Sequence, residues 1–457
     1  MSVEAPQPSA NTGQPVIGFL MLGGSLSGAL IRDVRLANEL AARGWRVRVW
    51  WAMDRDKSTR LAPGVRQSWL FHGCRYLRSS GSDAADGLGR LLTAITRDKS
   101  RRRSAQKRPR IIERLMQGLI LRVCAGVDGD RRLIRRFARS LAASEVTHLL
   151  PMLAILCPWV QAARRHLNRP LRYLVTFQGY ELYGSYARPL GCERRLYDRL
   201  AETVAASDFP AVAVSDDYAQ RVIADIGVPA ESLRSIPPGV PLKVAVDPSD
   251  AAALLASKFP RYRRGVPLVT YLGRRDTEKG IDLLLYAASI LRSRGVDFQV
   301  AVCGPTLFGN LYSEVCCKLA EDLRCPVLWS NQISDELRSA LFLQSRCVVY
   351  PSIHREPFGM VAAESLAHGT PAIVPDYGGV AAAIEAEGET GGLRFRVWDS
   401  AHLADRIGAL IEDETLYRRL ADAGPRVAAH YSVSRLADRI LAHIDLPPRP
   451  PAPAKGR

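Results

Sequence analysis

One pattern constrains the fold more than any other. A short, wholly apolar run is followed by a glycine-rich loop, a helical pattern and a second apolar run, and the chain starts this pattern twice. "PVIGFLML" (15–22) has no apolar/polar alternation. Such a run suits a strand buried on both faces of a parallel sheet. "GGSLSGA" (23–29) follows, and "LIRDVRLANELAARG" (30–44) then has helical apolar spacing and ends in Gly44, placed to stop the helix. "WRVRVWW" is the next strand. The second start is "PLVTYLG" (267–273), followed by "LLLYAASILRSRG", "FQVAVCG", "VVYPS" and "PAIVP". The prediction is α/β, with two Rossmann-like doubly wound domains facing across a cleft. Ligands in such folds sit beyond the C-terminal ends of the strands.

The 457 residues suffice for two or three domains. The expected division is an N-terminal segment 1–15, a first domain 16–243, a second domain 244–430, a helix at 431–446 that can cross back to the first domain, and a proline-rich tail 447–457. The linker is placed near 237–250, where prolines cluster. Nine scattered cysteines form no Cys-x-x-Cys pair or Cys/His cluster, which argues against a disulfide framework or zinc site and for a reducing cytoplasm. The longest apolar run, "LLPMLAILCPWV", is too short to span a bilayer. The N-terminus does not read as a signal peptide.

The net charge of +17 is concentrated. Residues 97–139 carry fifteen Lys or Arg against four acids, so 15 − 4 = +11 comes from this segment. Within it, "RIIERLMQGLILRV" (110–123) places its apolar residues on one helical face. That helix either lies on an anionic membrane surface or packs on the domain's own core with its arginines in solvent. No aromatic interleaving accompanies the charge, so nucleic acid is not an expected partner. "DGD" (128–130) reads as a turn or cap rather than a metal site, and no metal is called for.

"EPFGMVAAESLAHGTPA" (356–372) holds two carboxylates, Glu356 and Glu364, split by Pro-Phe-Gly. The spacing predicts a helix from Phe358 to His368, with Pro357 suited to its first position. Glu356 then lies on the preceding loop and Glu364 inside the helix. The helix start offers backbone N–H groups from Phe358 through Gly359 and Met360 to Val361, and Gly359 lets a ligand approach closely. A phosphate on the helix start and hydroxyls on the carboxylates would satisfy both, as in a polyol phosphate. The alternative is a solvated Glu364 and a Glu356 that merely complements the helix dipole.

From here the chain resembles a known family. "REPFGMVAAESLAHGTPAIVPDYGG" is similar to the signature of glycosyltransferase family 4, the retaining enzymes of the GT-B fold. "YLGRRDTEKGIDLLLYAASIL" resembles that family's diphosphate-binding segment, "VAVSDDYAQRVIADIGVPAESLRSIPPGV" its stretch near the hinge, "VTFQGYE" its His-Gly loop, and residues 17–50 its N-terminal βαβ unit. The blocks span most of 16–395 in the right order.

The resemblance implies a nucleotide-diphosphate sugar donor and a saccharide or lipid-linked acceptor hydroxyl, in cell-envelope or exopolysaccharide synthesis. It implies that Glu356 contacts the transferred sugar, Glu364 the ribose, and Arg274 and Lys279 the diphosphate in place of a metal. It implies that the backbone at 358–361 meets sugar and diphosphate, that Gly23 and Gly24 lie near the diphosphate, and that Ile333 lies near the base. No cofactor is expected. Arg275 is expected to be a solvated neighbour, and "DYGGV" (376–380) a minor part of the cleft. Gln178 stands where the family has histidine, and Pro238 where it has asparagine. Glutamine can donate and accept hydrogen bonds but carries no proton at neutral pH. This leaves a degenerate relative that binds nucleotide sugars or a partner without turnover as the alternative, with a nicotinamide enzyme behind it. The expected location is cytoplasmic, with a peripheral place on the inner face of the plasma membrane if the basic segment contacts lipid.

Overall fold

The computed structural model describes residues 14–23, 27–52, 60–70, 118, 123–124, 131–182, 188–306, 310–331 and 333–449. Gly24, "DGD" and most of the helix read at 110–123 lie outside these residues.

Strands β1 (Val16–Met21), β2 (Arg46–Trp51), β3 (Arg66–Trp69), β4 (His148–Pro151) and β5 (Arg172–Tyr173) form a parallel sheet in the order β3-β2-β1-β4-β5. Strands β6 (Thr176–Phe177), β7 (Ala211–Ala213) and β8 (Leu233–Ser235) continue it as β6-β7-β8. The join is direct. Leu174 N donates to Leu149 O at 3.1 Å, and Val212 N to Val175 O at 2.8 Å. Residues 172–177 therefore bridge the two sets.

The second sheet comprises β9 (Leu268–Leu272), β10 (Gln299–Cys303), β11 (Val327–Ser330), β12 (Ser345–Val349), β13 (Ala372–Pro375) and, after a small antiparallel pair β14 (Glu385–Ala386) and β15 (Glu389–Thr390), β16 (Gly392–Phe395). Its order is β11-β10-β9-β12-β13-β16, all parallel. All five residues of β9 and of β10 are buried. Val269, Tyr271, Val300 and Val302 face one core, and Leu268, Leu272, Ala301 and Cys303 the other. Burial on both faces is why these strands read as continuous apolar runs. Doubly wound sheets of this kind satisfy the predicted fold class.

Ser27 starts the helix Gly28–Ala42, its hydroxyl accepting from Leu30 N. Gly44 follows the helix at φ +79°, as its place in the sequence implies. The helix Pro248–Lys258 begins inside the stretch read as a linker.

The chain crosses between the two sheets twice, and the crossings touch. Val240 N donates to Tyr431 O at 2.8 Å, and Val433 N to Val240 O at 3.2 Å. The helix Val433–His443 then packs on Gly28–Ala42. Arg43 is the tie: its guanidinium donates to Asp438, to Ser434 O and Oγ at 2.8 and 2.6 Å, and to Glu39 at 2.8 Å.

In the basic segment, the helix Arg131–Ala142 buries Leu133, Ile134, Phe137, Ala138 and Leu141 and exposes Arg131, Arg132, Arg135, Arg136 and Arg139. Among the described residues no helix is long and apolar enough to cross a membrane.

Candidate functional site

A cavity of about 540 Å³ opens where the C-terminal ends of both sheets meet. Gly273, Gly304, Asn331 and Tyr350 line it just after β9, β10, β11 and β12, and Gln178 and Val214 line it after β6 and β7. This is the crevice expected of open parallel sheets.

Glu356 is 7% exposed. Its Oε1 accepts from Lys279 Nζ and, at 2.9 Å, from Ser352 Oγ. Burial pushes this carboxyl up. Lys279 outweighs that through charge and hydrogen bonding, so the carboxyl lies below the ordinary glutamate range and is ionised at neutral pH. Lys279 is itself buried and lies 5.7 Å from the Tyr350 ring centroid. Arg274 donates to Asp276 and Glu278, each at 2.5 Å. Two cations and their carboxylates thus stand fixed on one wall. Burial holds the His354 imidazole below its ordinary range.

Glu364 is also buried, at 5% exposure. This excludes the solvated-helix alternative. Its Oε1 accepts from Arg35 Nη2 at 2.7 Å, across the cleft from the helix Gly28–Ala42. Arg338 Nε lies 4.0 Å from Oε2.

The helix carrying Glu364 is shorter than predicted. It spans Met360–Leu366, not Phe358–His368, and Pro357 is not its first residue. Gly359 precedes it at φ +89°, and a Cβ there would lie 2.4 Å from Val380 Cγ2. The glycine is required by a left-handed turn and by Val380, not only by ligand approach. Phe358, Gly359, Met360 and Val361 all line the cavity. Phe358 packs edge-on to Tyr431, with ring centroids 5.2 Å apart.

The loop before this helix is clamped from the other half. Ser215 Oγ donates to Pro357 O at 2.6 Å, and Asp217 pairs with Arg355 at 2.5 Å. Gly379 lies beneath, its N–H donating to Glu356 O at 2.8 Å. Gly378 and Gly379 of "DYGGV" buttress the loop and do not line the cavity.

Gln178 lines the cavity between the halves. Its Nε2 donates to Met152 O at 2.7 Å and lies 3.4 Å from Asp33 Oδ1. Asp33 pairs with Arg32 at 2.6 Å. Beneath it, Glu181 accepts from the backbone N–H groups of Ala154, Gln178 and Gly179 and from the Tyr218 hydroxyl. Burial pushes the Glu181 carboxyl up, and these backbone donors oppose the shift.

One expectation requires correction. Arg275 is not solvated. It is 5% exposed, donates to Asn331 and lies 5.8 Å from the Trp329 ring. Burial lowers its pKa. Gly23 does not line the cavity, although Ser27 and Gly28 of the same loop do. Ile333 lines it, as does Asn331. Arg32, Asp33, Arg35, Ser215 and Arg338 were not foreseen. Arg32 pairs with its neighbour Asp33, and the others act through contacts distant in sequence that no local motif marks. Among the described residues no group of three or more metal-ligating side chains comes together.

Comparison with known proteins agrees with this geometry. Residues 257–427 match the family model described as glycosyl transferases group 1. A D-inositol 3-phosphate glycosyltransferase of Nocardia farcinica is 30% identical over 235 residues, covering 50% of this chain and 51% of that protein. A phosphatidyl-myo-inositol mannosyltransferase of Mycobacterium leprae is 31% identical, covering 46% and 54%. The chain spans about half the length of the curated relatives it matches. Among solved structures, Anabaena HepE in complex with UDP and glucose superposes with a TM-score of 0.69 at 18% identity, covering 94% of this chain and all of that one. The sucrose-phosphate synthase of Thermosynechococcus elongatus gives 0.70 at 19%, covering 94% and 98%. The chain has the GT-B fold, and its second half carries a domain that matches the group 1 glycosyl transferases.

Proposed function

We propose that the protein is a retaining glycosyltransferase of family 4 that moves a sugar from a nucleoside diphosphate to an acceptor hydroxyl. The observation that carries this reading is the pair of buried carboxylates, Glu356 and Glu364, set in one cavity with Arg274 and Lys279. Ionised carboxylates accept hydrogen bonds from sugar and ribose hydroxyls. Cations held in place by their own carboxylates stabilise the charge that grows on a departing diphosphate, without reorganising as the bond breaks. In the proposed step the bond from the anomeric carbon to the phosphate oxygen breaks and a bond to the acceptor oxygen forms on the same face. The acceptor's proton passes to the departing phosphate. No residue of this chain needs to act as a base in that step, so Gln178 is compatible with turnover. No metal forms part of the proposal.

Names of relatives inform the acceptor. D-inositol 3-phosphate and phosphatidyl-myo-inositol are both phosphorylated polyols. We infer an acceptor of that class or a lipid-linked saccharide of the cell envelope. The arginine face of the helix Arg131–Ala142 suits a site at an anionic membrane surface.

The test is calorimetric binding of UDP, GDP and ADP, with NAD as control, to the wild type and to Glu364→Ala. Selective binding of one diphosphate, weakened in the variant, supports the reading. No diphosphate binding by folded protein, or equal binding by the variant, overturns it. Hydrolysis of the matching nucleotide sugar would then separate an active enzyme from a binding relative.

A further inference from the structure

Glu364 sits in the second half of the molecule, yet its hydrogen-bonded side-chain partner comes from the first. Arg35 Nη2 donates to Oε1 at 2.7 Å, while Nη1 lies 3.4 Å from Gly239 O beside the chain crossing. The two oxygens of Glu364 are not equivalent. Oε1 is clamped. Oε2 has only Arg338 Nε at 4.0 Å, too far for a hydrogen bond, and among the described residues no donor bonds to it. Arg35, Arg338 and Glu364 all line the cavity. A buried carboxylate with one oxygen fixed and the other open to a cavity is set to accept a hydroxyl from whatever fills it.

We propose that Arg35 is a positioning residue for the donor's ribose. By holding Oε1 it fixes the plane of the carboxylate, so that Oε2 accepts one ribose hydroxyl. This rests on the nucleotide-sugar reading above and extends it. Ribose recognition then belongs to both halves of the molecule. A residue that need not touch the nucleotide sets the preference for ribose over deoxyribose.

The experiment measures affinities of the full chain for UDP, GDP and ADP, and then for the 2′-deoxy and 3′-deoxy forms of whichever binds. A hydrogen bond to a charged carboxylate predicts that the wild type prefers the ribonucleotide by about tenfold over at least one deoxy form. In Arg35→Met that preference falls to about twofold, while affinity for the deoxy form stays within about twofold of wild type. Arg35→Lys, which keeps a cationic donor on the same helix face, retains more of the preference than Arg35→Met. A merely structural role for Arg35 would weaken ribo and deoxy forms alike. That result, or an unchanged preference in Arg35→Met, overturns the proposal while leaving the donor reading intact. If the wild type binds none of the diphosphates, the donor reading falls and takes this proposal with it.

Discussion

Replacing Lys279 by methionine removes the cation beside a deeply buried carboxylate and keeps most of the side-chain volume. Glu356 then keeps the Ser352 hydroxyl at 2.9 Å and the Tyr350 hydroxyl. Arg274 stays committed to Asp276 and Glu278. Breaking a buried ion pair by removing one partner costs about 3–5 kcal/mol. The surviving hydroxyls place this case at about 3 kcal/mol. For a domain of this size that lowers Tm by about 6–12 °C.

The pH dependence gives a sharper test. In the wild type the Glu356 carboxyl lies below its ordinary range, because Lys279 outweighs burial. Its stabilisation is present above the ordinary glutamate pKa and is lost as pH falls through the folded value. In Lys279→Met burial acts without that opposition, so the carboxyl moves above its ordinary range. The group then favours the unfolded chain as pH rises. The Tm deficit should be largest at pH 7 to 8 and shrink toward pH 4.5, read by circular dichroism in parallel scans. Lys279→Met/Glu356→Gln should recover most of the loss, since it removes both charges. A deficit under about 2 °C at pH 7, or one that does not change with pH, would refute the reasoning.

Three further outcomes are expected. Ser215→Ala loses a helix cap and the hydroxyl that donates to Pro357 O; it should cost about 1–2 kcal/mol in urea denaturation. Gly379→Ala would place a methyl 1.9 Å from Pro357 O. It should cost about 1–3 kcal/mol and weaken nucleotide binding by displacing the Glu356 loop, measured by calorimetry. Gln178→Glu sets a carboxylate against Met152 O and Asp33. It should destabilise by about 1–2 kcal/mol at neutral pH and recover toward acid, where a protonated carboxyl can donate, as thermal scans at pH 5 and 7 would reveal.

The fold was legible because parallel strands covered on both faces must be apolar along their whole length. "PVIGFLML", "PLVTYLG" and "FQVAVCG" have that character. β3 was not legible, since its four residues, "RQSW", lie on a partly exposed edge and carry one apolar residue, Trp69, and no run. Glu356, Glu364, Arg274 and Lys279 stand close together in sequence blocks, and the structure brings all four to one cavity. The helix start was misjudged because a left-handed Gly359 delays it, and proline in a sequence does not say whether the helix follows at once. Arg275 was misjudged because its burial depends on Trp329 and Asn331, more than fifty residues away. Arg35 was invisible for the same reason. A basic residue on an amphipathic helix reads as solvated until its partner on another element is known.

The paired crossings at Val240 and Ser432 have a consequence for how the chain is made. The body built on β1 to β8 is completed by a helix that follows the whole second sheet in the chain, since Val433–His443 packs on Gly28–Ala42 and supplies partners of Arg43. On the ribosome, that body waits with an uncovered helix face while nearly two hundred residues are synthesised and the second sheet assembles. The intervening unit is in effect an insert whose two ends leave its host side by side.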